Sequence, residues 1–244
     1  MKKTLFTVVM AAVSLLAGHA AKKSDVFTTP GGKTVVINHI KHATMQIEYD
    51  GKLIYVDPVR QVPPVTDFNT YPKADIILVT HEHLDHFDRE AIAALRNVQN
   101  TLIYLNKNCW DIYHNGTVMS NGDSIMVDES ITLKAVPAYN TTFEHRQFHP
   151  KGRDNGYVLS LDGLRIYIAG DTEDIPEMAE LQNIDIAFLP CNQPYTMTVE
   201  QLAKAAKMFK PKVLFPYHYS DTTIHKVSML LVGSGIDVRI RDYR

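Results

Sequence analysis

Residues 80–88 read Thr-His-Glu-His-Leu-Asp-His-Phe-Asp, which places His81, His83, Asp85 and His86 within six positions. All four can bind a first-row metal, through imidazole nitrogen or carboxylate oxygen. The preceding run, Asp75-Ile-Ile-Leu-Val-Thr80, is short, apolar and β-branched, which predicts a buried strand. The donors therefore fall where a strand gives way to a loop. His81 and His83 are two residues apart, so an extended backbone points both to one side. Asp85 and His86 follow as the chain turns toward a helix, and can face a second ion.

Later segments carry matching chemistry. Ile166-Tyr-Ile-Ala-Gly-Asp171 is an apolar strand ending in a carboxylate, and Phe215-Pro-Tyr-His218 is another strand ending in an imidazole. With His-x-His-x-Asp-His ahead of them, these residues resemble the metallo-β-lactamase superfamily. The resemblance runs over nearly the whole chain after residue 34. It points to the branch of small metal-dependent hydrolases that includes the ascorbate-6-phosphate lactonase type and, more distantly, the N-acylphosphatidylethanolamine phospholipase D type. It implies an α/β fold, specifically a four-layer αββα sandwich. It also implies that Asp171 bridges two ions and that His218 binds the second.

One position departs from the family pattern. The third histidine for the first ion usually follows a segment like Pro-Ala-x-His, but here the chain reads Pro137-Ala-Tyr139-Asn140. A neutral amide oxygen is a poor zinc ligand beside imidazole. His145 and His149 follow in the same loop. We expect His149 to supply the missing nitrogen and His145 to sit at the surface. The alternative is a weak first site, with the second ion carrying the chemistry. His42, in a segment resembling the family's Gly-His-Ala/Ser, is either a pocket residue or a satisfied core histidine. Tyr139, Asn140 and Tyr195 are candidate substrate contacts, and Tyr219 flanks another site segment. His39, His114 and His225 read as structural or exposed.

The elements that must position these groups are legible along the chain. Strands are expected at residues 35–40, 44–49, 52–56, 102–105, 124–127, 132–136, 157–161, 165–169, 184–189, 213–216 and 238–240, besides the one ending at Val79. Asp50-Gly51 and Asp162-Gly163 read as hairpin turns. Asp88 suits an N-cap for a helix to about Asn97, and residues 107–114 a short helix. Thr198-Val-Glu-Gln201 is a capping box. Its helix places Val199, Leu202, Ala203, Ala206 and Phe209 on one apolar face.

The first twenty residues have a basic start, an apolar run and a small-x-small end at Gly18-His19-Ala20. This predicts an export signal cleaved after Ala20, and a periplasmic or secreted protein with no integral membrane anchor after cleavage. Residues 21–33 read as a flexible lead-in, and 34–244 as one domain. The formal charge of −2 falls to −4 once Lys2 and Lys3 are removed. With no basic stripe to neutralise phosphates, nucleic acid is not an expected partner. Cys109 and Cys191 are the two cysteines, and free buried thiols are expected.

The chemistry these donors imply is metal-dependent hydrolysis of a small-molecule ester, lactone or phosphodiester. Asp85 is the expected catalytic carboxylate. One or two zinc ions would lower the pKa of a water, with manganese or iron as alternatives. Rival readings are an iron-dependent redox enzyme on the same fold and a non-catalytic metal binder. The motif is shared across many chemistries and does not select β-lactams as substrates.

Overall fold

A computed structural model describes residues 24–243. The expected export signal lies outside the described residues. The first sheet comprises β1 (Ser24–Thr28), β2 (Thr34–Lys41), β3 (Thr44–Tyr49), β4 (Lys52–Val56), β5 (Ile76–Leu78), β6 (Leu102–Leu105) and β7 (Thr117–Val118). The second comprises β8 (Ser124–Met126), β9 (Ile131–Ala138), β10 (Asp154–Leu161), β11 (Leu164–Ile168), β12 (Ile186–Pro190), β13 (Val213–Tyr217) and β14 (Asp237–Val238). Spatial order follows chain order in both.

The two halves share one plan. β1 to β4 pair antiparallel, and β4 to β7 pair parallel. β8 to β11 pair antiparallel, and β11 to β14 parallel. Matching turns close the last hairpin of each meander. Asp50-Gly51 has φ of 50° and 76°, and Asp162-Gly163 has 46° and 85°. Two consecutive positive φ values are what a two-residue hairpin with the native strand twist requires.

The parallel strands are buried on both faces, which explains their unbroken apolar runs. Ile76 and Leu78 of β5 belong to the core between the sheets, whereas Ile77 packs on the outer side with Ile92, Leu95 and Cys109. Those last residues come from α1 (Arg89–Leu95) and α2 (Lys107–Tyr113). The Asp88 carboxylate caps α1 by accepting from Glu90 N and Ala91 N. On the other flank lie α3 (Val199–Phe209) and α4 (Lys226–Leu230). α3 begins with the expected Thr198/Gln201 capping box and buries Val199, Leu202, Ala203, Ala206 and Phe209. Phe209 meets Tyr167 of β11 edge-on at 5.5 Å. Two sheets between helical layers form the expected αββα sandwich. Among the described residues, no helix is long and apolar enough to cross a membrane.

The lead-in expected at residues 21–33 needs correction, because residues 24–28 form edge strand β1. Ser-Asp-Val-Phe-Thr shows no clear alternation, and its anchor is a polar network reaching the other end of the chain. Asp25 is 7 % exposed. Its carboxylate accepts from Arg241 (2.7 and 2.8 Å), Arg239 (3.0 Å) and His39 Nε2 (2.7 Å). His39 Nδ1 in turn accepts from the Tyr243 hydroxyl at 2.5 Å. Burial raises the Asp25 pKa, but the hydrogen bonds from Arg241 and His39 outweigh it and hold it at about 2. Other differences are small: α4 and β7 carry no strong sequence signal, and the last strand is Asp237–Val238 rather than 238–240.

Removing one partner of a buried charged network is costly, because the other charges stay desolvated. Asp25→Ala is therefore expected to cost about 3 kcal/mol, read as a lower urea midpoint at unchanged slope. The depressed Asp25 pKa stabilises the fold above the unfolded value near 4, and that contribution is lost as pH falls toward 2. The variant should lack this acid step; an unchanged midpoint would contradict the assignment.

Candidate metal centre

The site lies where the parallel strands of both sheets end, the usual place for a crevice in open α/β sheets. Asp57 follows β4, His81 to His86 follow β5, Asp171 follows β11 and His218 follows β13. The β2–β3 turn contributes His42, and the loop between β9 and β10 contributes His149. Three of these residues hold left-handed backbone: His42 (φ 46°), Asp57 (42°) and His218 (47°). Non-glycine residues in that region cost energy and cluster at functional sites. Gly170 (φ 65°) sits directly before Asp171. A Cβ there would meet Asn155 O at 2.7 Å and Thr80 Cβ at 3.2 Å, so only glycine lets the chain swing Asp171 inward.

Among the described residues, the donors fall into three overlapping groups, each with its atoms within 4.8 Å of one another. His81, His83 and His149 form the first. His42, Asp85, His86 and His218 form the second. His81, His86 and Asp171 link them. Asp171 Oδ2 lies 3.4 Å from both His149 Nε2 and His218 Nε2, and 3.9 Å from His81 Nε2. Its Oδ1 lies 3.3 Å from His86 Nε2. The structure thus brings together every residue that the sequence nominated as a metal donor.

Buried carboxylates orient the imidazoles. Asp57 is fully buried. Its Oδ1 accepts from Thr80 N (2.8 Å), while Oδ2 accepts from Thr80 Oγ1 (2.7 Å) and His86 Nδ1 (2.8 Å). Asp154, also buried, accepts from His149 Nδ1 at 2.9 Å. With Nδ1–H committed to a carboxylate, Nε2 presents its lone pair inward, the arrangement typical of metal-ligating histidine. Burial also pushes the His42 pKa down to about 4, and lowers those of His81 and His83, favouring the neutral, ligating form. Burial works against ionised Asp171, but His218 and His86 hold its pKa well below the usual carboxylate range.

The residues fit a metal. Among the described residues, Asp171 Oδ1, His86 Nε2 and both His218 nitrogens are buried without a hydrogen-bond partner. Such atoms are expensive to desolvate, and a cation held between them offsets that cost.

The remaining nominations have other partners. Asn140 pins the loop: its Nδ2 donates to Tyr195 O (2.8 Å) and His145 O (3.2 Å), and its backbone N–H donates to His149 O (2.8 Å). The Tyr139 hydroxyl donates to Glu177 (2.8 Å) and accepts from Lys151 (3.2 Å). Tyr195 stays 45 % exposed, with its ring 4.9 Å from Phe148. His145 is more anchored than a surface residue, because its Nδ1 lies 3.1 Å from buried Glu173. Tyr219 donates to Arg241 O, a structural role. Cys109 and Cys191 are buried free thiols, and burial pushes Cys191 up to about 12.

Comparison with known proteins agrees with this geometry. The Beta-lactamase superfamily domain matches residues 20–218. The chain belongs to this family. A UPF0173 metal-dependent hydrolase of Pyrococcus furiosus is 34 % identical over 195 residues, covering 76 % of this chain and 85 % of that protein. The crystal structure of a candidate metal-dependent hydrolase from Parabacteroides distasonis superposes with a TM-score of 0.89 at 53 % identity, covering 91 % of this chain and all of that one. Igni18, a metallo hydrolase from the archaeon Ignicoccus hospitalis, gives 0.71 at 25 % identity over 85 % of this chain and 95 % of its own. The protein is thus a metal-dependent hydrolase of the metallo-β-lactamase superfamily.

Sequence reasoning missed the orienting carboxylates of this hydrolase. Asp57 follows an apolar strand in Val56-Asp-Pro58, a signal that was present; Asp154 lies five residues after its partner His149 and meets it because the loop folds back, while Glu173 has no signal, since Thr141, Thr142 and His145 lie 28–32 residues away. His149→Ala is expected to lower bound metal toward one ion per chain, and His145→Ala to leave it unchanged, by elemental analysis after dialysis. Asp154→Asn should weaken the first ion roughly 10–100-fold; equal affinity in variant and parent would refute the orienting role.

Proposed function

We propose that this hydrolase is exported and cleaves an ester, lactone or phosphodiester bond of a small molecule at a two-ion centre. The first ion would be held by His81, His83 and His149, the second by Asp85, His86 and His218, with Asp171 between them. The observation that carries this reading is Asp171 Oδ2, which stands 3.4 Å from one imidazole of each set. When bound, such ions make hydroxide available near neutral pH and polarise the scissile oxygen as Lewis acids. Zinc suits the imidazole-rich donors best, with manganese or iron behind it.

The protein's own groups do the rest. The Asp85 side chain is 39 % exposed, whereas those of His86 and His218 are almost fully buried. It is therefore the carboxylate of the set that faces the cleft, placed to orient the attacking water and pass a proton to the leaving group. Leu84, 88 % exposed, stands between His83 and Asp85, and Phe148, next to His149, packs against the half-exposed Tyr195 ring. Apolar side chains so near the donors in sequence support an organic substrate with an apolar portion. The acidic net charge supports a small molecule over nucleic acid.

The test couples metal analysis of protein from its native host to a panel of lactones, phosphodiesters and esters. Asp85→Asn should lower kcat by about 10²–10⁴ while most of the metal remains. A chelator should abolish turnover, and zinc should restore it. No turnover on any class, with metal fully loaded, would leave a binder rather than an enzyme of this specificity. For export, mass spectrometry should find a chain beginning at Ala21; an intact Met1 in the cytosol would refute it.

A further inference from the structure

The outer face of the second sheet carries a cavity of about 290 Å³ that the hydrolytic centre does not use. It lies between β9, β11 and the 3-10 turn Pro176–Glu180, and none of the metal donors lines it. We propose that this cavity is a second binding site, which takes a small organic acid. The carboxylate would sit between Lys134 and Tyr167, and the apolar body against Val136, Ile175, Met178 and Leu181.

Size sets the first limit. A cavity of about 150 Å³ holds benzene, so this one has room for a fused pair of aromatic rings or a medium-length chain. Its walls suit such a body. Val136, Ile175 and Met178 are buried, and Leu181 is half-buried at the opening. Apolar walls with a few placed polar groups are the usual make-up of a small-molecule site.

The polar groups fix the chemistry. Val158 of β10 pairs with Lys134 of β9 on one side and with Tyr167 of β11 on the other. Residues paired in this way share one face of a sheet. Lys134 and Tyr167 thus stand two strands apart, roughly 10 Å at the backbone, on either side of a shorter valine. Both side chains are long enough to bracket a carboxylate above it.

Tyr167 is only 1 % exposed, and its ring meets Phe209 edge-on at 5.5 Å. Its hydroxyl nevertheless has no hydrogen-bond partner among the described residues. Burial alone pushes its pKa up, with no neighbouring donor to offset it. A buried hydroxyl left without a partner is costly, and a ligand oxygen removes that cost.

Lys134 is exposed at the opening and forms no ion pair among the described residues. Two carboxylates also line the cavity. That of Glu177 is already engaged, accepting from Lys151 at 2.7 Å and from the Tyr139 hydroxyl at 2.8 Å. Glu180 is exposed, where water and salt screen its charge. The unengaged groups nearest the row are therefore one cation and one hydroxyl donor, a pair that favours an anionic oxygen.

The experiment uses the metal-loaded full protein, with 1-naphthoate as probe and 1-naphthalenemethanol as its uncharged counterpart. Binding is followed by calorimetry and ligand-observed NMR. Naphthoate should bind saturably with a dissociation constant below about 1 mM, and the alcohol about tenfold more weakly. Lys134→Gln should weaken naphthoate about tenfold and leave the alcohol nearly unchanged. Tyr167→Phe should weaken naphthoate as well. Leu181→Trp, which fills the cavity from its opening, should abolish binding of both, with its urea midpoint as the check on folding. Lys134→Gln changes an exposed side chain and keeps the test decisive if Leu181→Trp fails to fold. No saturable binding of naphthoate up to about 10 mM, or equal affinity in wild type and Lys134→Gln, would overturn the proposal. Affinity lost in His86→Ala but kept in Leu181→Trp would place the acid at the metal centre and overturn it too.

Discussion

The buried carboxylate of Asp171 organises the structure around it. It is 2 % exposed and lies within 4 Å of imidazoles from His81, His86, His149 and His218. An anion so deep in protein, facing nitrogen lone pairs, is costly to desolvate. Its environment becomes favourable when positive charge lies among these atoms, from protons on the histidines or from metal. The same arrangement that makes the metal-free centre costly makes it a strong cation site. Folding supplies this geometry from residues 81 to 218, so metal affinity and fold are linked.

The twofold plan of the sandwich explains where the donors come from. Each half lays an antiparallel meander beside a set of parallel strands, and the parallel strands of both halves end at one seam. The first half supplies the histidine-rich loop after β5. The second supplies Asp171, His218 and the His149 loop. Side chains at strand ends can point into the seam only if the chain turns sharply there. Gly170 and the left-handed residues His42, Asp57 and His218 provide those turns.

Behind the inner shell stands a layer that holds two of the rings, those of His86 and His149, in one tautomer. Asp57 serves His86, and Asp154 serves His149. Arg153 then fastens Asp154 through paired contacts of 2.6 and 2.8 Å, and donates to Phe148 O at 2.7 Å. Asn140, at the place where the family pattern has a histidine, uses its amide to hold the loop instead. The nitrogen it lacks arrives nine residues later, because the loop folds back and buries His149 to 1 % exposure.

Local information in the chain determined much of this. Apolar runs marked the parallel strands, Asp-Gly pairs marked both hairpins, and Thr198/Gln201 marked α3, because each signal is carried by neighbours in sequence. The spacing of His81, His83, Asp85 and His86 marked the centre for the same reason. Strand β1 was hidden, since its anchor is Asp25 bonded to Arg239 and Arg241, more than two hundred residues away. The Asp57 and Asp154 partnerships, the pinning of Asn140 and the approach of His42 to Asp85 were equally hidden. Each depends on how strand ends and loops pack beside one another. Asp57 and His86 meet as neighbouring strand ends, and His149 and Asp154 as a loop folded back on its own strand. Spacing alone does not fix such a contact. Residue types therefore named the chemistry, while the tertiary structure decided which nitrogen and oxygen atoms share one space, because only packing fixes distance and burial.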